Sequence, residues 1–498
     1  MRRLAVATVM LAGLLVLVSV PAWRTTVDDA WITVRYALHL AEGYGPVYNA
    51  GEWVEGTSNP LWTVMLAIAV LLRGDMPYVL ELLGLLHALL CIPVSLWLAR
   101  LLAPGNEHRV ALLVAPLLVA GSPHVGVIAT NGLETAQWSL ALLVACAAWI
   151  AADTPRRRFL AGIVCGGLVL VRPEGIVLGP LLAAFDLVRQ GRALRTWSGW
   201  ALTAGVAAVL IVFLVLRYWM YGELVPNTVA AKSYLTAAQL WTKNSRYVLY
   251  DGATWPVVTA AIVAFPFVPP WRWPRFVVAL VALATLAAAV QTEMWMPGAR
   301  LLVGAWVLCG AGWASMAADG PQRWRKALAL SPVLGLAAMW ASGQPRRFVY
   351  GYDDDHSVPP HNQVSRAAAY IAEQAPPGSR VTLRDAGVAA AAFGTKIKAI
   401  ETHPRALTRP HPGGADVTVH DLRADPPELH VTVVRTPDEK RPVYSQDREI
   451  LTMAHYVWLG RSRQHHRRYY DFWARADVAI RPLPPELTVR DSATMSDP

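Results

Sequence analysis

Long apolar runs separated by short polar segments fill the chain as far as residue 341, and a mixed pattern follows. Eleven such runs lie near 4–20, 78–99, 109–122, 135–152, 159–171, 174–188, 199–219, 254–268, 276–290, 301–317 and 326–341. A bilayer-spanning helix needs about 17–25 mostly apolar residues, because lipid offers no partner for bare backbone groups. The pattern therefore predicts about 11 transmembrane helices, the shorter runs borrowing flanking residues. After 342 the periodicity shortens. Residues 367–372 read as a helix, 380–383 as a strand leading into Asp385-Ala-Gly387, and 417–419, 429–434 and 478–480 as further strands. The expected architecture is a polytopic α-helical membrane domain over 1–341, then a small C-terminal α/β domain over 342–498.

A twelfth run, residues 60–72, decides the topology. With this run left out and Arg2 and Arg3 in the cytoplasm, the inner loops hold Arg100 and Arg109, Arg156 to Arg158, Arg189, Arg192 and Arg195, Arg272 and Arg275, and Arg323, Arg325 and Lys326. That puts 15 of the 24 cations before residue 342 on the inner side, as the positive-inside rule asks. Counting 60–72 as a span inverts every later loop and sends the triple-arginine cluster outside. Residues 60–72 are therefore read as an interfacial helix within a first outer loop, 21–77. An odd number of spans places the N-terminus in the cytoplasm and the C-terminal domain outside the plasma membrane. Residues 4–20 read as an uncleaved span, since no small-x-small cleavage site precedes the acidic loop.

Composition agrees with two solvents. Of 498 residues 54% are apolar and only 16% charged, with mean hydropathy +0.33, against about 25% charged in soluble domains. The 45 cations and 35 anions leave a net charge of +10, but the cations form no stripe interleaved with aromatic residues, so nucleic acid is not an expected partner. The four cysteines lie in apolar runs without CxxC spacing and read as small hydrophobes.

Under this topology the unusual polar clusters all fall on the outer face. The first loop opens with Asp28 and Asp29, followed by Arg35 two helical turns later; an adjacent carboxylate pair suits proton transfer, or equally a helix cap. Next comes a turn-rich stretch carrying Asn49, Glu52, Glu55 and Asn59. Four later segments carry Glu134, then Arg172 and Glu174, then Asn227 with Lys232, then Glu293 and Arg300. Any one of these loops alone reads as interfacial hydrogen bonding or snorkelling. Five on one face predict a polar cavity, because charge at membrane depth faces a protein interior or water. Carboxylates together with cations suit attack by a hydroxyl on a centre with a phosphate leaving group.

These motifs resemble a known family. Asp28-Asp29-Ala-Trp-Ile with Arg35-Tyr36, then Gly43-x-Gly45-x-Val-x-Asn49-x-Gly51-Glu52-x-Val-Glu55-Gly56-x-x-Asn59-x-Leu-Trp62, is similar to the first outer loop of bacterial GT-C glycosyltransferases. Gly132-Leu-Glu134-Thr, Arg172-Pro-Glu174-Gly, Tyr221-Gly-Glu-x-x-Pro226-Asn-Thr228 with Lys232, and Trp295-x-x-x-x-Arg300 resemble later motifs of the same group. Within it the chain is similar to the terminal arabinofuranosyltransferases of mycobacterial cell-wall arabinan, although the second half of its first-loop motif departs from theirs.

The resemblance implies an enzyme that takes a sugar from a polyprenyl-phosphate donor in the outer leaflet and passes it to a cell-envelope glycan. The family's catalytic acid falls on Asp28, with Asp29 beside it. Arg35, Arg300, Lys232 and Arg172 are the candidate phosphate ligands, with Arg300 and Arg35 ranked first because an arginine can bind phosphate bidentately. Glu134, Glu174, Glu55, Asn59 and Asn227 are candidates for sugar or acceptor hydroxyls. An inverting reaction makes Asp28 the base, a retaining one the nucleophile. No metal ligand set is assigned: Asp353-Asp354-Asp355-His356 reads as a solvated linker, and His465-His466 is weaker. The rival readings are a transporter or lipid flippase with the outer carboxylates as ligands, and a non-catalytic glycan-binding anchor. Transporters carry paired repeats and broken midplane helices, and the sequence is expected to have neither.

Overall fold

A computed structural model describes residues 2–23, 26–105, 109–227, 238–240, 242, 272–290, 300–341, 357–358, 362–383, 387–401, 422–423, 425–434, 445–465 and 468–489. The chain divides into two compact units. One comprises Met1–Trp23, Glu81–Trp219 and Leu235–Gly351; the other comprises Arg24–Leu80, Met220–Tyr234 and Tyr352–Pro498.

The first unit is helical. Ten of the eleven apolar runs lie on helices, from Arg2–Ser19 to Gln322–Ala341, and the remaining run, 254–268, lies outside the described residues. Length and composition suffice for a crossing in three described helices, Met76–Leu102, Trp197–Tyr221 and Arg300–Asp319. A fourth crossing is possible through the pair Val110–Gly121 and Pro123–Thr130, bent by 51°. The bend falls where Pro123 begins a new helix, since proline lacks the N–H that would continue the previous one. The described helices thus do not confirm the expected count of about 11 spans. Several runs are too short or are split, as 159–171 is between Pro155–Gly166 and Leu168–Val171.

The helix Val303–Asp319 is the most enclosed of the three, with nearly its whole apolar window covered. Trp197–Tyr221 instead exposes Ile211, Val212, Val215 and Trp219, as a lipid-facing helix does. Gly162 and Gly205 face each other where their helices cross. A Cβ on Gly162 would meet Leu202 O at 2.1 Å, and one on Gly205 would meet Phe159 O at 2.2 Å, so small residues let the two backbones touch. Three cations counted above as topology markers are paired with buried acids: Arg158 with Asp186, and both Arg275 and Arg272 with Asp319, Arg272 through Nε at 2.7 Å. A charge neutralised inside the protein is a weak marker of sidedness.

The second unit contains a five-stranded mixed sheet. Its strands are β3 Arg380–Leu383, β4 Lys398–Glu401, β5 Leu429–Val434, β6 Tyr456–His465 and β7 Arg468–Arg475, in the order β4-β3-β5-β7-β6. β3 pairs parallel with β4 and β5, while β7 runs antiparallel to both β5 and β6. The earlier β1 Thr26–Val27 and β2 Ser357–Val358 form a separate antiparallel pair. Strands expected at 380–383 and 429–434 are present, and the helix expected at 367–372 is Gln363–Gln374. Residues 417–419 lie outside the described residues, and 478–480 is not a strand.

The hairpin β6–β7 was not anticipated. Its inner face carries Arg461 opposite Asp471, a buried bidentate pair with both contacts at 2.7 Å, which breaks the apolar alternation that marks a strand. Residues Arg24–Leu80 fall in this unit too. Tyr36 and Tyr48 sit in the same apolar core as Val364, Ile371, Phe393 and Leu429, which supplies the burial that the loop's own turn-rich sequence lacks.

Candidate active site

Asp28 opens the helix Asp28–Ala41, with extended Val27 as its N-cap and no side-chain capping bond. Neither Asp28 nor Asp29 therefore caps its own helix. Asp28 is nearly enclosed, and its carboxylate reaches residues 359 and 360 positions away: Oδ1 accepts from Val388 N–H at 2.9 Å and Oδ2 from Gly387 N–H at 3.2 Å. These are the first amides of the short helix Val388–Ala392. A carboxylate has about four acceptor sites, and these bonds use one on each oxygen. Asp29 is partly exposed.

Arg35 has a different place from the one expected. It is fully buried, and all five of its N–H groups are used: Nε on Tyr48 O, Nη1 on Ala390 O and Gly394 O, Nη2 on Asn49 Oδ1 and Ile397 O. No donor remains for a phosphate, so the assignment of Arg35 as a phosphate ligand is corrected to that of a structural staple. The cation sits over the Tyr48 ring, 4.9 Å from its centroid. Asp28 and Arg35, seven residues apart, thus hold the two ends of one short helix. The acid meets its N–H groups and the cation its terminal carbonyls, which is the sense the helix dipole favours.

Asn49 completes the anchoring. Its Oδ1 accepts from Ala399 N–H at 2.9 Å and its Nδ2 donates to Ala399 O at 2.8 Å, so the side chain stands in for a strand against the edge of β4. Glu52 accepts from Asn49 Nδ2 and pairs with Lys398. Tyr36 Oη donates to Val54 O and accepts from Gly56 N–H. Much of the first-loop motif is therefore structural.

Glu55 and Asn59 are buried; the Glu55 carbonyl accepts from Asn227 N–H at 3.1 Å, and Thr57 Oγ1 donates to Asn59 Oδ1. Lys232 lies outside the described residues.

In the helical unit, Glu134, Arg172 and Glu174 form one triad. Arg172 Nη1 donates to Glu134, and its Nε and Nη2 fork onto Glu174 at 3.1 and 2.8 Å. Arg172 thus holds the two acids together with three of its five N–H groups. Arg300 opens a single turn before Val303–Asp319, and its Nη1 has no hydrogen-bond partner among the described residues. Arg300 is a described candidate cation with a donor left to give. The described residues contain no cluster of three or more metal-ligating side chains, and Asp353–His356 lie outside them.

Two histidines of the sheet-containing unit are held neutral. Burial, aided by the Arg35 charge, lowers His39 to about 4, and burial lowers His430 to about 3. His39 Nδ1 contacts Arg35 O; the His430 ring lies between Thr382 Oγ1 and Asp447, against Tyr456. The unfolded chain binds protons on both below about pH 6.5 while the folded chain does not. Stability is thus fully present above 6.5 and falls with pH by about 1.4 kcal/mol per unit for each histidine. The thermal midpoint of the sheet-containing unit is expected to drop between pH 6.5 and 5, above the range where carboxylates titrate. A flat or rising midpoint contradicts this.

The fold is similar to those of two solved proteins. ArnT from Cupriavidus metallidurans, solved with undecaprenyl phosphate, superimposes over 95% of this chain and 98% of its own, with a TM-score of 0.59 at 14% identity. The oligosaccharyltransferase AglB from Archaeoglobus fulgidus, in complex with an inhibitory peptide and a dolichol-phosphate, gives 0.54 over 80% of this chain and 65% of its own, at 13% identity. In sequence the chain is similar to terminal β-(1→2)-arabinofuranosyltransferases. The Mycobacterium tuberculosis enzyme is 29% identical over 319 residues, 59% of this chain and 49% of the relative; that of Corynebacterium glutamicum is 28% identical over 264 residues, 44% and 34%. The chain thus spans about half the length, or less, of the curated relatives it matches. No family model matches it.

Proposed function

We propose that the chain is an integral membrane glycosyltransferase that transfers a sugar, arabinofuranose by its relatives, from a polyprenyl-phosphate donor to a cell-envelope glycan at the outer face. The observation that carries this reading is the fold match along nearly the whole chain to ArnT, a protein that binds a polyprenyl phosphate; the sequence relatives supply the sugar. In this reading the Asp28 carboxylate takes the proton of an acceptor hydroxyl as its oxygen attacks the anomeric carbon. The bond to phosphate breaks, and polyprenyl phosphate leaves with both electrons. Asp29 stands beside the base and is reachable from solvent.

Arg300 and Lys232 neutralise the leaving phosphate. Glu134 and Glu174, held by Arg172, accept bonds from sugar hydroxyls, as do Glu55, Asn59 and Asn227. The membrane segment then has about eleven crossings, with the N-terminus in the cytoplasm and residues 342–498 outside. A transporter or flippase is disfavoured because the curated relatives are glycosyltransferases.

Lipid analysis of a deletion strain tests the reading. Accumulated polyprenyl-phosphate sugar together with a truncated glycan is expected. An unchanged lipid-linked sugar pool with intact glycan contradicts it.

A further inference from the structure

We propose that the segment Gly387–Ala392 is a positioning element for Asp28, with Gly387 as its key residue, so that the C-terminal part of the chain completes the catalytic apparatus. This rests on the reading of Asp28 as the base and extends it to residues that touch neither sugar nor phosphate. Three observations converge.

The first is the pair of amides. A carboxylate on a short side chain has two free torsions, and one N–H on each oxygen fixes both its plane and its direction. The second is space. A Cβ on Gly387 would lie 2.1 Å from Asp28 O and 2.4 Å from Asp28 Cγ and Oδ2. The Gly387 φ of −87° lies outside the left-handed region, and the closeness of Asp28 leaves no room for a Cβ there.

The third is the register. Gly387 to Gly394 spans seven residues, as Asp28 to Arg35 does, and Arg35 holds Ala390 O and Gly394 O at the far end. Asp28 and Arg35 are about 10.5 Å apart along their own helix, and their side chains meet the start of the short helix and the carbonyls at and beyond its end. Arg35 is in this sense a second positioning residue: it fixes the helix that fixes the base.

A displacement of about 1 Å at a reacting group can cost about a hundredfold in rate. In the full-length protein in nanodiscs, Gly387→Ala is expected to lower kcat about a hundredfold and to leave KM for the polyprenyl-phosphate sugar within about threefold, because the donor's own contacts are untouched. In the Asp28→Asn background the same substitution is expected to cost nothing further, as for two residues that act as one unit. Wild-type turnover in Gly387→Ala, or a further hundredfold loss in the double variant, overturns the inference.

Should Gly387→Ala not fold, hydrogen exchange decides. In Asp28→Ala the Gly387 and Val388 amides are expected to exchange at least about tenfold faster than in the wild type, having lost their acceptor; unchanged exchange overturns the inference. Normal turnover in Asp28→Asn alone marks the failure of the base assignment instead. The exchange measurement then still reports whether the carboxylate holds this helix.

Discussion

Arg35→Met is expected to destabilise the sheet-containing unit by about 3–5 kcal/mol, lowering its thermal midpoint by roughly 10 °C. The substitution keeps an apolar stem of similar length but removes a guanidinium whose five donors end on five oxygens. Four of those acceptors are backbone carbonyls, at Tyr48, Ala390, Gly394 and Ile397, and burial denies them water as a substitute. Each buried polar group left without a partner costs about 1–3 kcal/mol, and only part of that is recovered by relaxation.

Arg35→Lys is expected to rescue little. An ammonium offers three donors from one point and cannot match oxygens spread around a planar fork. Differential scanning fluorimetry of the detergent-solubilised protein checks both variants. A loss below about 1 kcal/mol for Arg35→Met contradicts the staple.

The apolar runs along 1–341 were legible because burial in lipid or in a helical core leaves the same mark, continuous hydrophobicity, whichever neighbour a helix finds. Crossing number was less legible. A run such as 159–171 reads as one segment, yet Gly166 and Gly167 divide it, and Arg158 inside the helix pairs with Asp186 far along the chain. In the C-terminal part, β3 and β5 carry the plain β-branched alternation that local reading detects. The β6–β7 hairpin hides a buried ion pair on its inner face, and a charge in a strand pattern argues for solvent until its partner is known.

The site was legible in type but not in role. Asp28 and Asp29 stand out locally, yet that Asp28 reaches amides some 360 positions later is a tertiary fact without local periodicity. Arg35 illustrates the converse error. An arginine in an outer loop suggests a phosphate ligand, and only the positions of the Ala390, Gly394 and Ile397 carbonyls reveal that its fork is already full. One signal was available for the missed element: Asp385-Ala-Gly387 before Val388-Ala-Ala-Ala-Ala392 is a glycine followed by strong helix formers, which marks a helix start. Nothing in it says which side chain that start will meet.

Asp28→Asn carries the largest catalytic effect. The amide preserves the shape and its oxygen keeps one of the two backbone N–H bonds while its NH2 faces the other N–H, a local loss that insertion and folding are expected to survive. What is lost is the proton acceptor, and removal of a general base costs about 10²–10⁴-fold. Wild-type and Asp28→Asn proteins in proteoliposomes, supplied with polyprenyl phosphate bearing radiolabelled arabinose and with an arabinan oligosaccharide outside, give the direct comparison. Label should leave the lipid and appear in the oligosaccharide with the wild type, and stay on the lipid at least about a hundredfold longer with the variant. Equal transfer by both proteins, or intact lipid-linked sugar moving between leaflets with no label in glycan, would contradict glycosyl transfer through Asp28.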